Sequence, residues 1–245
     1  MLLPMQKIAI IIPCFNEQYR IKKNYVSTIL EQHNVDVYLC NDGSTDVTLQ
    51  VLNTISNVHP GRCFVINYER NTGKANTIYT AAGNLLLKGG YTHIAYFDAD
   101  FSTPPGEIVR MLNFVKKNPD VFVVGSRVQL LNAVIQRKWY RHIIGRLVVT
   151  IVNFKFRLDV YDTQCGAKIF PVAMAGVAFS TPFLTSWLFD MEIFIRLRKA
   201  GMLAYGKELP LRYWTDVDGS KLKLMHAFSI LKEIVVLYKI KEKRL

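Results

Sequence analysis

The chain has 245 residues, half of them apolar and a fifth charged, with 31 basic against 19 acidic side chains and a net charge of +12. This excludes disordered, collagen-like and low-complexity classes and favours one large globular domain. The four cysteines (Cys14, Cys40, Cys63 and Cys165) form no CxxC pair, zinc-ribbon spacing or disulfide framework, which fits a reducing, cytoplasmic setting.

Residues 7–12 are predicted as a buried strand ended by Pro13, and 19–33 as a helix. Residues 35–40 are a second strand. Residues 45–56 are a second helix, with Asp46 in the first turn, where the helix dipole favours a carboxylate. Further strands are predicted at 63–67, 92–97 and 121–125. Helices lie between them at 74–87, stopped by Gly89-Gly90, and at 105–118. Strands alternating with helices predict an α/β fold with a mostly parallel sheet flanked by helices.

The second half reads differently. Residues 141–157 predict a helix with an apolar stripe of Ile144, Leu147, Val148, Ile151 and Phe154. Arg137, Lys138, Arg141 and Lys155 flank it, with Trp139 and Tyr140 between them. Such a helix suits either a membrane interface or a surface packed on the core. Residues 169–189 carry no formal charge over 21 positions, but Pro171, Gly176 and Pro182 interrupt them. They are predicted as helix, turn and helix rather than a membrane span. Residues 221–245 repeat the amphipathic theme, with Leu224, Phe228, Leu231, Val235 and Tyr238 on one face and a basic tail. Membrane contact is therefore expected to be peripheral, on an anionic surface.

In a parallel sheet, ligands sit beyond the carboxyl ends of the strands. Four polar loops fall there: Pro13 to Glu17, Asn41 to Asp46, Glu69 to Lys74, and Asp98-Ala99-Asp100. Two carboxylates one residue apart repel unless a cation shares them, and hard Mg²⁺ or Mn²⁺ takes such oxygen ligands together with substrate phosphates. A helix cap at Ser102 or Thr103 is the plainer reading of that loop. Asp42 suits a base N–H or a ribose hydroxyl, or else an Asx turn. Gly73 and Lys74 open a helix and can face an anion, and Arg127 adds a cation at the same edge. Asp162, Gln164 and Lys168 cluster around Gly166. Asp190 and Glu192 sit among Trp187 and Phe189, either with a shifted pKa or paired with Arg196 or Arg198. The loops match neither a phosphate-binding P-loop nor an EF-hand. Nucleic acid is not expected as a partner, because no RNP, KH or helix-turn-helix signature accompanies the basic charge.

Together these residues resemble family 2 glycosyltransferases of the GT-A fold. The resemblance rests on Ile12 to Glu17, Asn41 to Asp46, Asp98-Ala99-Asp100 and Gly125-Ser126-Arg127, all in family order. Asp162 to Lys168, Trp187 to Glu192, and Trp214 with Gly219-Ser220-Lys221 are similar to the dolichyl-phosphate β-glucosyltransferase and polyprenyl-phosphate branch. It implies a single GT-A, Rossmann-like domain. Residues 1–127 would bind the nucleotide sugar, UDP-glucose being favoured, and 128–245 the acceptor, a polyprenyl phosphate.

The resemblance puts Pro13, Asn16, Glu17 and Asp42 in the base and ribose pocket, with Gly73 and Lys74 nearby. Asp98 would support the ribose or sugar, and Asp98 and Asp100 would serve the metal. Ser102 stands where many polyprenyl-phosphate mannosyltransferases carry Gln. An ionised lipid phosphate needs cations rather than a base, and Arg127, Lys168 and Lys221 are the candidates, beside Asp162. A sugar-hydroxyl acceptor would need a base, for which Asp190 is the candidate. A non-catalytic nucleotide-sugar-binding protein and a nucleotidyltransferase are the rival classes. The implied location is the cytoplasmic face of a membrane.

Overall fold

The structure, a computed structural model, describes residues 6–32, 34–217 and 226–239, apart from the side chains of residues 141 and 226–228. The chain runs β1 (Ile8–Cys14), α1 (Lys23–Leu30), β2 (Val35–Asp42), α2 (Thr48–Val58), β3 (Cys63–Tyr68), α3 (Lys74–Lys88), β4 (His93–Phe97) and α4 (Pro105–Lys117). It continues through β5 (Phe122–Ser126), β6 (Val134–Gln136), α5 (Trp139–Phe156), β7 (Ala167–Pro171), α6 (Val172–Ala178) and α7 (Phe189–Lys199). After one 3₁₀ turn it ends with β8 (Gly206–Pro210), β9 (Tyr213–Thr215) and α8 (His226–Lys239).

Seven strands form one sheet in the order β3-β2-β1-β4-β7-β5-β8, and β6 pairs with β9 in a small second sheet. Within the main sheet only β7 is antiparallel to its neighbours, β4 and β5. β1 is central and buried on both faces, which explains its unbroken apolar run. Its alternation divides the core: Ile8, Ile10 and Ile12 face the layer of α1, α2 and α4, while Ala9 and Ile11 face that of α3 and α5 to α8. Strand order reverses around β1, so the crevice lies at the carboxyl ends of β1 and β4.

The predicted α/β class and sheet are borne out, with corrections. Pro13 does not end β1. It lies within the strand, past the last β1–β4 pair (Ile11 with Tyr96), where a missing N–H breaks no bond on that side. The helix predicted at 19–33 is reduced to α1, because the backbone first turns on the Glu17 carbonyl, which accepts from Arg20 and Ile21 N–H. Asp46 precedes α2 rather than entering it, and its carboxylate accepts the Thr48 N–H at 2.9 Å. Residues 169–171 are strand, not helix. Pairing of β7 with β4 and β5 takes them, only α6 is helical before Phe189, and the rest is loop.

The amphipathic faces are also rotated. In α5, Val148, Val149 and Val152 are buried, while Ile144, Leu147 and Phe154 are exposed. In α8, Ile230, Ile234 and Leu237 are buried, while Leu231, Val235 and Tyr238 are exposed. Leu224, Lys221 and the basic tail lie outside the described residues, as does the Phe228 side chain. Both helices are apolar on more than one face, so the contact between them decides which face is inside. Tyr238 Oη donates to the Ile151 carbonyl at 2.6 Å.

Candidate active site

The loops after β1 and β2 are stitched together. Asn16, at a positive φ of 56°, accepts the Thr45 N–H on Oδ1 at 2.9 Å, and its own N–H reaches Ser44 Oγ at 3.0 Å. Glu17 N–H donates to Thr48 Oγ1 at 2.8 Å, and its carboxylate pairs with Arg20 at 2.6 Å. Asp42 accepts from Thr72 N–H at 2.8 Å and Gly73 N–H at 2.9 Å, so it organises the loop that opens α3. Gly43 is required twice over: its φ is +62°, and a Cβ there would lie 2.5 Å from the Arg70 and Asn71 backbone.

At the end of β4, Asp98 and Asp100 are half-buried. Lys74 Nζ lies 2.5 Å from Asp98 Oδ1. Burial pulls the Lys74 ammonium down, but Asp98, Asp190 and Asp100 together outweigh it and hold the pKa above its ordinary value. Asp98 therefore acts on this ammonium by direct contact, and Asp190 and Asp100 through their charge. Asp100 Oδ1 accepts the Ser102 N–H at 2.9 Å. Phe101 between them has a positive φ of 51°. Among the described residues no group of three or more His, Cys, Asp and Glu is placed to hold a metal. Two aspartates are nonetheless the donor set that suits Mg²⁺ or Mn²⁺ when substrate phosphates complete the shell.

The segment before β7 closes the other side. Asp162 Oδ2 accepts the Arg127 backbone N–H at 2.9 Å and Nε–H at 2.7 Å, and Oδ1 accepts Nη2–H at 2.8 Å. Burial alone would raise the Asp162 carboxyl; Arg127 outweighs it and holds it well below the usual range. Arg127 stacks over Trp214 at 5.1 Å. Arg127, Arg137 and Arg146 line one small pocket with Tyr161, Asp162 and Gln164. Burial and then the charge of Arg127 pull Arg137 down to about 10. Gly166 lies against Asp98, whose N–H it accepts at 3.0 Å.

Lys168 is fully buried. Its Nζ donates to the Cys165 carbonyl at 2.6 Å and lies 2.7 Å from Asp190 Oδ1, which also accepts from Tyr96 Oη. Asp190 does not pair with Arg196 or Arg198; Arg196 reaches Glu192 instead, at 3.5 Å. The structure thus brings Asp98, Asp100, Lys74, Asp190, Asp162 and Arg127 to one mouth, with Lys168 beneath it. Sequence reasoning missed Tyr96, Glu208 and the site position of Arg137 and Arg146. Glu208 accepts the Tyr161 and Asp162 N–H groups at 2.8 and 2.9 Å. Only the lone hydroxyl of Tyr96 inside an apolar strand offered a signal.

A mostly parallel sheet with one antiparallel insertion, and an acidic Asp-x-Asp loop at the switch point, define a glycosyltransferase domain of the GT-A fold. The profile of Glycosyl transferase family 2 matches residues 9–180, and the chain belongs to that family. It is 27% identical over 241 residues to a dolichyl-phosphate beta-glucosyltransferase of Trichomonas vaginalis, covering 93% of this chain and 72% of that protein. It is 28% identical to the dolichyl-phosphate beta-glucosyltransferase of Saccharomyces cerevisiae, covering 94% and 73%. The fold is also that of glucosyl-3-phosphoglycerate synthase from Mycobacterium tuberculosis, in complex with Mn²⁺, UDP and glucosyl-3-phosphoglycerate. The TM-score is 0.71 at 14% identity, over 96% of this chain and 79% of that one.

Proposed function

We propose that this glycosyltransferase moves glucose from UDP-glucose to a polyprenyl phosphate such as dolichyl phosphate, with inversion, at a peripheral site on the cytoplasmic face of a membrane. The observation that carries this reading is the cluster of Arg127, Arg137 and Arg146 around Asp162, with Arg127 close enough to Asp98 to feel its charge. A phosphate acceptor is already ionised and needs cations rather than a base. A hydroxyl acceptor needs a base, and the one candidate, Asp190, is buried with Oδ1 held by Lys168 and Tyr96. The names of the relatives support the same acceptor and sugar.

Residues 1–127 hold the donor and 128–245 the acceptor. Pro13, Asn16, Glu17 and Asp42 shape the nucleoside end, and Gly73 and Lys74 face the diphosphate. Asp98 and Asp100 hold a Mg²⁺ or Mn²⁺ ion, which when bound neutralises the leaving diphosphate; the Mycobacterium tuberculosis enzyme was solved with Mn²⁺ and UDP. Lys74 orients Asp98 and adds positive charge as the bond to the leaving group breaks. Asp162 locks the Arg127 guanidinium so that it meets the acceptor phosphate without reorganising. Lys168 keeps Asp190 in place from below. Lys221 is a further candidate for the acceptor phosphate.

Membrane contact fits the exposed apolar side chains Trp139, Ile143, Leu147 and Phe154 on α5, and Leu231 and Val235 on α8. Among the described residues no helix is long and apolar enough to cross a membrane.

The test is UDP release from UDP-glucose with Mg²⁺ or Mn²⁺, with and without polyprenyl phosphate, together with detection of the glucosylated lipid. Lipid-dependent release is the expected result. Release that ignores the lipid but responds to a sugar acceptor would overturn the acceptor assignment.

A further inference from the structure

The loop between α6 and α7 carries two exposed apolar side chains, Leu184 and Trp187, and leads directly into Asp190. Two carboxylates hold it. Glu192, wholly buried on α7, accepts from Leu184 N–H at 3.0 Å and from Thr185 N–H and Oγ1 at 2.7 and 2.5 Å. That grip is local. Glu233 comes from α8, more than forty residues onward. It accepts from Ser186 N–H and Oγ at 3.1 and 2.8 Å, from Trp187 N–H at 3.0 Å and from Leu188 N–H at 2.9 Å.

Three successive backbone N–H groups converging on one carboxylate form an anion nest, and each bond is charge-assisted. Leu188, the N-cap of α7, supplies no side-chain cap of its own. The turn that starts α7 is therefore fixed by a residue of another helix. Asp190, in the first turn of α7, bonds Lys168 and Tyr96 and contributes to the charge around Lys74. α8 rests on the core through Ile230, Ile234 and Leu237 and leaves Leu231, Val235 and Val236 exposed.

We propose that Glu233 is a positioning residue: it makes the seating of α8 a condition for the geometry of residues 184–188 and of Asp190 behind them. The acceptor side of the site is then assembled only when α8 lies in place. The inference rests on the polyprenyl-phosphate reading for its consequence and on the Glu233 bonds for its cause.

The test uses the full chain with Glu233→Gln and Glu233→Ala, read in three ways: hydrogen exchange, calorimetry with UDP and Mn²⁺, and steady-state transfer to polyprenyl phosphate in detergent. Loss of charge-assisted bonds should speed exchange of the 186–188 amides by about tenfold or more in Glu233→Ala, and less in Glu233→Gln, which keeps an acceptor oxygen. Protection in β1 and β4 should not change. kcat/KM for the lipid should fall by about tenfold, while UDP affinity stays within about twofold, because Lys74 keeps its direct 2.5 Å contact with Asp98 and the donor loops keep their own bonds.

Unchanged exchange at 186–188 overturns the proposal. So does an equal loss of UDP affinity, or a lower melting temperature with unaltered specific activity of the folded fraction. If Glu233→Ala does not fold, the near-isosteric Gln variant decides by the same readings. If the wild-type chain fails to glucosylate polyprenyl phosphate, the acceptor reading falls, and the clamp is judged on exchange alone.

Discussion

Lys168 Nζ lies 2.7 Å from Asp190 Oδ1, and both side chains are shut away from solvent, at 0% and 4% exposure. Neither charge has water to fall back on, so removing one strands the other. Lys168→Met should cost about 3–5 kcal/mol in urea denaturation, the usual penalty for leaving a buried charge unpaired. The double variant Lys168→Met, Asp190→Leu should recover a large part of that loss. If the single variant unfolds at the wild-type midpoint, the pair is not holding β7 to α7.

Gly166 and Asp98 share one space. A Cβ on Gly166 would lie 1.9 Å from Asp98 Oδ2 and 2.3 Å from its Cγ, so the carboxylate must move. Gly166→Ala should therefore cut turnover by about 10²-fold, the scale of an ångström-sized misplacement in a site. Gly176→Ala is the control: nothing lies within 4 Å of a Cβ there, in the middle of α6. It should leave turnover intact and add about 0.5–1 kcal/mol of stability. Equal activity of the two variants would separate Asp98 from the reaction.

β1, β2 and β4 were legible because each is buried on both faces, so its stretch is mostly apolar, despite Asp36 in β2 and His93 at the start of β4, and the polar loop after it stands out. β7 was not, because Lys168, its second residue, breaks the pattern. That lysine is tolerable there only because Asp190, 22 residues later, meets it. β8 carries Lys207 and Glu208 on a sheet edge and shows no apolar run. The pairing of Asp162 with Arg127 spans 35 residues and that of Glu233 with Leu188 spans 45, distances at which no periodicity operates. The charged loops at the strand ends were readable; Tyr96, Glu208 and the bonds that aim the loops were not.

His93 supplies a pH dependence. It is buried at the start of β4, and its Nε2 lies 3.0 Å from the Pro119 carbonyl. A carbonyl only accepts, so Nε2 carries the proton of a neutral ring. Burial holds the pKa below its ordinary value, against the opposing pull of Pro119 and Asp120. A depressed folded-state pKa means that the unfolded chain binds the proton first as the pH falls. The contribution of His93 is thus fully present above the unfolded value of about 6.5 and is lost below it. Urea midpoints should decline as the pH falls below about 6.5 in the wild type and decline less in His93→Gln. Parallel declines would show that other groups set the slope.

Asp100 allows charge to be separated from shape. Its Oδ1 accepts the Ser102 N–H at 2.9 Å, and an asparagine keeps that oxygen while losing the negative charge. Asp100→Asn should preserve the turn after β4 and melt close to the wild type, because the carboxylate is half-buried and its backbone bond survives. Its effect should fall on the ion. UDP titrated in Mn²⁺ and in chelator should show a metal-dependent gain in affinity for the wild type. In Asp100→Asn that gain should shrink by at least the roughly 10–100-fold that losing even an outer-shell partner costs. Asp98→Asn should behave differently, because it also frees Lys74 from its 2.5 Å contact and removes a negative charge beside it, so UDP binding in chelator should tighten. An Asp100→Asn chain with a wild-type metal response would move the ion's ligand elsewhere in the mouth, and Asp98 would be the first carboxylate to test.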